Sequence, residues 1–143
     1  MKKTLNQGCG YQNRELGEIG IDTNIACKPD VCGDIQDLPF KDESFDRITS
    51  THVLEHIPNI VKTMNEAWRV LKPDGKFHIR VPLFPTIGSI ADPSHVRYFI
   101  PATFDYFCEQ WKLTGLKHSF KMEEFAIRDL SNNTQEIVCQ MRK

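Results

Sequence analysis

The sequence has no long apolar run, no surplus of basic charge, no internal repeat and no CxxC pair. The first absence removes a membrane-spanning helix, which needs about 20 consecutive apolar residues. The start, MKKTLNQGCG, turns polar and glycine-bearing before a secretory apolar segment could form. Eighteen basic against nineteen acidic side chains leave a formal charge of −1, so nucleic acid and anionic lipid are not favoured partners. The five cysteines, Cys9, Cys27, Cys32, Cys108 and Cys139, are odd in number and scattered. Neither a disulfide framework nor a structural zinc site is expected from them, and they read as reduced thiols. The expected compartment is the cytoplasm. Nothing resembling a linker or a low-complexity tract divides the 143 residues, so one domain, 1–143, is expected.

What is present is a succession of short apolar segments interleaved with helical patterns. Residues 3–7, 18–22 and 30–34 predict three strands, each ending at or beside Gly or Asp, and residues 45–50 predict a fourth. HVLEHIPN, from His52, predicts a helical turn broken by Pro58. Asn59 then caps a helix with Ile60, Met64, Ala67, Trp68 and Leu71 on one face, stopping before KPDG. Phe77, Ile79 and Val81 alternate in a fifth strand closed by Pro82, and a loop of Gly, Pro and Ser follows. Pro101 opens a helix that sets Phe104, Phe107, Cys108 and Trp111 on one side. These aromatics, with Phe40 and Phe45, read as core and anchoring residues. HSFKMEEFAIRD and QEIVCQMRK, joined by LSNNT, predict an antiparallel hairpin. The fold class is α/β with a mostly parallel, Rossmann-like sheet, whose ligand crevice lies beyond the carboxyl ends of its strands.

LNQGCGYQN, residues 5–13, sits at that crevice with two glycines and no third. Gly8 and Gly10 let main-chain N–H groups approach a ligand closely, although a plain tight turn accounts for GCG equally well. Only eight residues separate Gly10 from Ile19, fewer than the roughly 10–12 of a crossover carrying a full helix. The first crossover helix is therefore expected to be short or absent. That shortening and the missing glycine count against a dinucleotide, which rests its pyrophosphate on the helix N-terminus. Asp22 ends the second strand, where its carboxylate can accept from both hydroxyls of a ribose, and Asp34, ending the third, can accept from an adenine amino group. A solvated strand-end aspartate is the alternative for each, and the two acids support one another.

In order and spacing, LNQGCG, GIDTN, GDIQDLPFKDESFD, HVLEH and EAWRVLKPDGKFHIRVP resemble the class I S-adenosylmethionine-dependent methyltransferases of the methyltransferase-11-like branch. The resemblance runs from about residue 4 to 82, and DPSHVRYFIPATFDYF looks like the segment that follows in short, often glycan-associated members. It implies a seven-stranded sheet in the order 3-2-1-4-5-7-6 with an antiparallel C-terminal hairpin. It implies S-adenosylmethionine as cofactor, with Gly8, Cys9 and Gly10 against its methionine part, Asp22 on ribose, Asp34 and Ile35 framing adenine, and His52 facing the sulfonium. Two departures stand out. Many members carry a glycine at the position of Gln12 and a full helix after it, where this chain has YQNREL; and the chain starts a few residues before its first strand. The expectation is a half-open site that a second copy or another chain covers.

Methyl transfer needs positioning more than acid–base chemistry, but an oxygen acceptor gains from a histidine that takes its proton. His52 and His95 are the candidate catalytic residues, and His56, His95 and Arg97 the candidate acceptor contacts, Arg97 for a carboxylate or phosphate. Each has a plainer alternative: His56 as a cap or packing residue, His95 and Arg97 as ordinary loop charges, and Tyr11 as packing rather than a cover for the cofactor. His52 and His56 share a helical face at a spacing also used for zinc, yet HVLEH lacks the glutamate placement of a metalloprotease helix, so no metal is expected. The function expected is methyl transfer to a small molecule or glycan. The runner-up is a non-catalytic methyltransferase-like subunit that binds a protein partner.

Overall fold

The computed structural model describes residues 2–11, 15 and 17–143. Seven strands, β1 (Thr4–Gln7), β2 (Glu18–Asp22), β3 (Val31–Cys32), β4 (Phe45–Thr51), β5 (Leu71–Pro82), β6 (Lys121–Asp129) and β7 (Gln135–Arg142), form one sheet in the order β3-β2-β1-β4-β5-β7-β6. The first five run parallel, and β7 enters antiparallel between β5 and β6. The expected order and the C-terminal hairpin are both observed. Among the described residues no helix lies between β1 and β2. Gln12, Asn13, Arg14 and Leu16, on which the replaced glycine and the YQNREL departure turn, lie outside the described residues.

Alternation drives burial at the sheet centre. Leu5, Ile21, Ile48, Phe77, Ile79, Ile137 and Met141 are fully buried on central strands. Against them pack α1 (Ile60–Val70), through Met64, Ala67 and Val70, and α3 (Pro101–Cys108), through Phe104 and Phe107. Asn59 caps α1 as expected, its side chain accepting from the Lys62 N–H at 3.0 Å. Phe40 meets Phe45 edge-on at 4.9 Å. Trp68 lies at the core margin, stacked on His118 at 5.0 Å and edge-on to Phe120, while Trp111 falls beyond α3 in a separate 3-10 turn.

Two shifts of strand bounds from expectation have local reasons. β3 keeps only Val31 and Cys32 of the predicted 30–34 because the flanking acids bond sideways: Asp30 accepts from the Gly20 N–H at 2.7 Å and Asp34 from the Gln36 N–H at 2.8 Å. The KPDG stop is absorbed into β5 as a bulge, where Leu71 pairs with Phe45 and Lys76 with Arg47. Gly75 is required there, since a Cβ would sit 2.8 Å from the Lys72 carbonyl oxygen. The loop after β5 contains one short helical turn, α2 (Ile87–Ile90). No helix among the described residues is long and apolar enough to cross a membrane.

Candidate functional site

The parallel strands point their carboxyl ends at a cleft of about 600 Å³ lined by Gly8, Asp22, Asp34, Ile35, His52 and His56, with Thr23, Asn24, Gly33, Val53 and Ile57 between them. This volume lies within the ~300–1,000 Å³ usual for small-molecule sites. Gly8 adopts φ +62°, and a Cβ there would lie 2.3 Å from Val53 Cγ2. Its lack of a side chain is what lets the turn after β1 pack against the turn after β4. Gly10 also has positive φ, +51°, and among the described residues nothing lies within 4 Å of its Cβ position; it does not line the cleft.

Asp22 fixes the cleft floor with both carboxylate oxygens. Oδ2 accepts from the Gly10 N–H at 2.9 Å and Oδ1 from the Asn24 N–H at 2.8 Å. Each oxygen keeps a further lone pair, enough to accept from one hydroxyl of a vicinal diol. Asp34 shares its oxygens with the Gln36 backbone and side chain and stays exposed at the rim. The polar groups and size of the cleft are compatible with an adenosyl group. Cys9 does not line the cleft: its side chain is buried, and its backbone N–H donates to the Ile21 carbonyl at 3.3 Å. Tyr11 is exposed.

A second recess of about 240 Å³ adjoins the first and shares His52 and His56 with it, adding Glu55, Asp92, His95 and the start of β7. His52 takes the left-handed conformation, φ +53°, strained for a residue with a side chain. Its backbone N–H donates to the Arg80 carbonyl at 2.9 Å. Its ring is held between two buried carboxylates: Nε2 lies 3.1 Å from Glu136 Oε2, and Nδ1 lies 3.4 Å from Glu55 Oε1, an ion-pair approach rather than a well-formed hydrogen bond. The Glu55 carboxylate, with Glu136 adding to it, holds the imidazole pKa above its ordinary value against the opposing effect of burial. Arg80 completes the group by chelating Glu136 through Nε and Nη2 at 2.9–3.2 Å. Sequence reading missed Glu136 and Arg80 as parts of the site. Only the register of β7 on β5, which sets Glu136 opposite Pro82, brings a residue 84 positions away to His52.

His95 belongs to the second recess and not to the first. Arg97 lines neither: its Nε donates to the Ile57 carbonyl at 3.0 Å and its Nη2 to that of Pro58 at 2.8 Å. Those bonds strap the 92–97 loop to the turn after β4 and use two of the five N–H donors of the guanidinium.

Residues 11–79 match the model of a family described as a methyltransferase domain. The sterol 4-C-methyltransferase of Caenorhabditis elegans is 43% identical over 65 residues, covering 46% of this chain and 19% of that protein. The mitochondrial 2-methoxy-6-polyprenyl-1,4-benzoquinol methylase of Xenopus laevis is 28% identical over 111 residues, covering 70% and 34%. The chain thus spans between a fifth and about a third of the length of these curated relatives. A SAM-dependent methyltransferase of Methanosarcina mazei superposes with a TM-score of 0.76 at 17% identity, over 99% of this chain and 92% of that one, a likeness of fold. S-adenosylmethionine is the cofactor this family and fold imply, and the cleft residues suit it. Residues 11–79 thus carry a match to a methyltransferase domain, and the strand order is that of the S-adenosylmethionine-dependent methyltransferase fold, so the chain resembles the class I S-adenosylmethionine-dependent methyltransferases.

Proposed function

We propose that the chain transfers a methyl group from S-adenosylmethionine to a small-molecule or glycan acceptor in the cytoplasm. The observation that carries this reading is the pair of acids at neighbouring strand tips, Asp22 and Asp34, lining one cleft with Gly8 of the turn after β1. The bound cofactor supplies a methyl group on a sulfonium, whose thioether leaves uncharged. The chain's own residues then have mainly to orient donor and acceptor. Asp22 and Asp34 hold the adenosyl end and the turn after β1 holds the amino-acid end. His52, clamped between Glu55 and Glu136, presents a fixed polar edge where the two recesses meet. The acceptor enters through the second recess, and a second copy of the chain or a partner covers the outer side.

Calorimetric titration with S-adenosylmethionine and its demethylated product tests the reading. Micromolar binding of both, lost on Asp22→Ala in a variant that still unfolds cooperatively, is expected. A folded wild-type protein that binds neither overturns it and favours the partner-binding subunit.

A further inference from the structure

Glu55, His56 and His95 can each bring one donor atom within 4.8 Å of the other two, at the wall of the second recess. We propose that these three side chains form a binding site for a divalent transition-metal ion of the zinc class. This wall could hold the ion whether or not the chain transfers methyl groups.

Hydrogen bonding assigns the tautomer of both imidazoles. Ser94 has one hydroxyl proton, which it gives to Asp92 Oδ1 at 2.6 Å. Its oxygen must therefore accept from His56 Nδ1 at 3.0 Å, and the Ser94 carbonyl lies 3.3 Å from the same nitrogen. His56 thus carries its proton on Nδ1 and leaves the Nε2 lone pair outward. His95 repeats the arrangement, its Nδ1–H donating to the Ser89 carbonyl at 2.8 Å. A histidine whose Nδ1 proton is committed to a carbonyl or hydroxyl, with Nε2 available, is the arrangement found behind metal-bound imidazoles.

The third donor supplies the independent sign of a missing ligand. Glu55 is 2% exposed, and neither carboxylate oxygen receives a hydrogen bond among the described residues; the ion-pair approach of His52 at 3.4 Å is its nearest compensation. A carboxylate buried in that state is costly unless a cation completes it. Two imidazoles and one carboxylate form a usual ligand set for zinc with an open position, at metal–ligand distances of about 2.0–2.2 Å. Asp92 Oδ2, 3.7 Å from His95 Nε2, is within reach as a fourth donor. The two segments are held in place by the backbone: the Glu55 carbonyl accepts from the Val96 N–H at 2.9 Å and the Arg97 N–H at 3.3 Å, and Arg97 adds its bonds to Ile57 and Pro58.

The expectation of no metal considered His52 with His56. In the fold His52 turns to Glu136, and His56 finds His95 from the far side of the recess, their ring centroids 4.7 Å apart.

The test uses the full chain stripped of metal by a chelator. Zinc is added calorimetrically, and cobalt is added while the visible d–d absorption is followed. Expected are one ion per chain, a tetrahedral or five-coordinate cobalt spectrum, at least a 100-fold loss of affinity in His95→Ala and in Glu55→Gln, and roughly a 10-fold loss in Ser94→Ala, which acts through His56. Cys27→Ser/Cys32→Ser should bind as the wild type does. Each variant is checked for cooperative unfolding without metal, and His56→Ala, at a partly buried side chain, carries the test if Glu55→Gln does not fold. Wild-type affinity retained in His95→Ala and His56→Ala, binding that follows the cysteines, or no one-to-one binding at all would each overturn the proposal.

Discussion

Around the tips of β1, β2 and β3, the polar groups of the cleft come from short-range neighbours. Asp22 accepts from Gly10 and Asn24, and Asp34 from Gln36, all within 12 positions along the chain. Around the tips of β4 and β5 the partners are remote: His52 meets Glu136 across 84 positions, Arg80 meets the same carboxylate across 56, and Arg97 reaches Ile57 across 40. The first region consists largely of backbone amides ordered by aspartates in turns, and its chemistry travels with a local motif. The second is a set of charges in low-dielectric surroundings whose balance depends on the register of one inserted strand. Substitutions should therefore act locally in the first region and spread through several elements in the second.

The largest effect is expected at the first cleft. Asp22→Ala removes a carboxylate that orders two backbone amides and faces the cofactor position. Charged hydrogen bonds of ~1.5–3 kcal/mol each imply roughly 100-fold or greater loss of S-adenosylmethionine affinity, read by calorimetry. Zinc binding should stay unchanged, and a parallel loss of both would break the division between the two regions.

Glu136→Ala should come next, at about 1–3 kcal/mol of stability in urea unfolding, because Arg80 and His52 lose the buried carboxylate they share. The effect should be much smaller in an Arg80→Met/Glu136→Leu pair, where no charge is left uncompensated. Gly8→Ala should cost about as much, since the added methyl meets Val53 at φ +62°. Unlike Glu136→Ala, it should perturb both regions at once, seen as amide shifts at Asp22 and His52 together. Arg97→Met should then loosen the 92–97 loop by roughly 1 kcal/mol, read as faster amide exchange at Val96.

The smallest effect lies outside both recesses. Burial on β5 first, then Arg47 and the other nearby arginines, lowers the His78 pKa below the ordinary 6.5 of a histidine. The folded state therefore holds that proton less readily than the unfolded chain. Its contribution to stability is full above pH 6.5 and falls as the pH drops toward the lowered folded value. His78→Gln should flatten the stability profile in that interval, with no change in ligand binding.

The legible elements were those with a strong local cause. β2 matches its expected bounds because Ile19 and Ile21 alternate between turn residues, and α1 begins where Asn59 caps it. β3 was overextended because a run ending in Asp reads as a strand, whereas the aspartates divert their neighbours' N–H groups into side-chain bonds. KPDG was read as a full stop because Pro, Asp and Gly form turns, but pairing on both sides with β4 continues the strand around it. In the site, Asp22, Asp34, Ile35, Gly8, His52 and His56 gather at one cleft, and Thr23 and Asn24 could have been added by following GIDTN one step further. Glu136 gave no such signal, standing beside the apolar run Ile137–Cys139, which by itself accounts for the strand.

Sequence alone determined the parallel strands, the capped helix, the C-terminal hairpin and the acids at the tips of β2 and β3, since each follows from periodicity or turn chemistry within a few residues. Tertiary structure decided that His52 is held between Glu55 and Glu136, that Arg97 serves as a strap, and that His56 faces His95 beside a buried carboxylate. Those pairings depend on strand register and loop return, which fix distances between residues too far apart in the chain for any local pattern to encode.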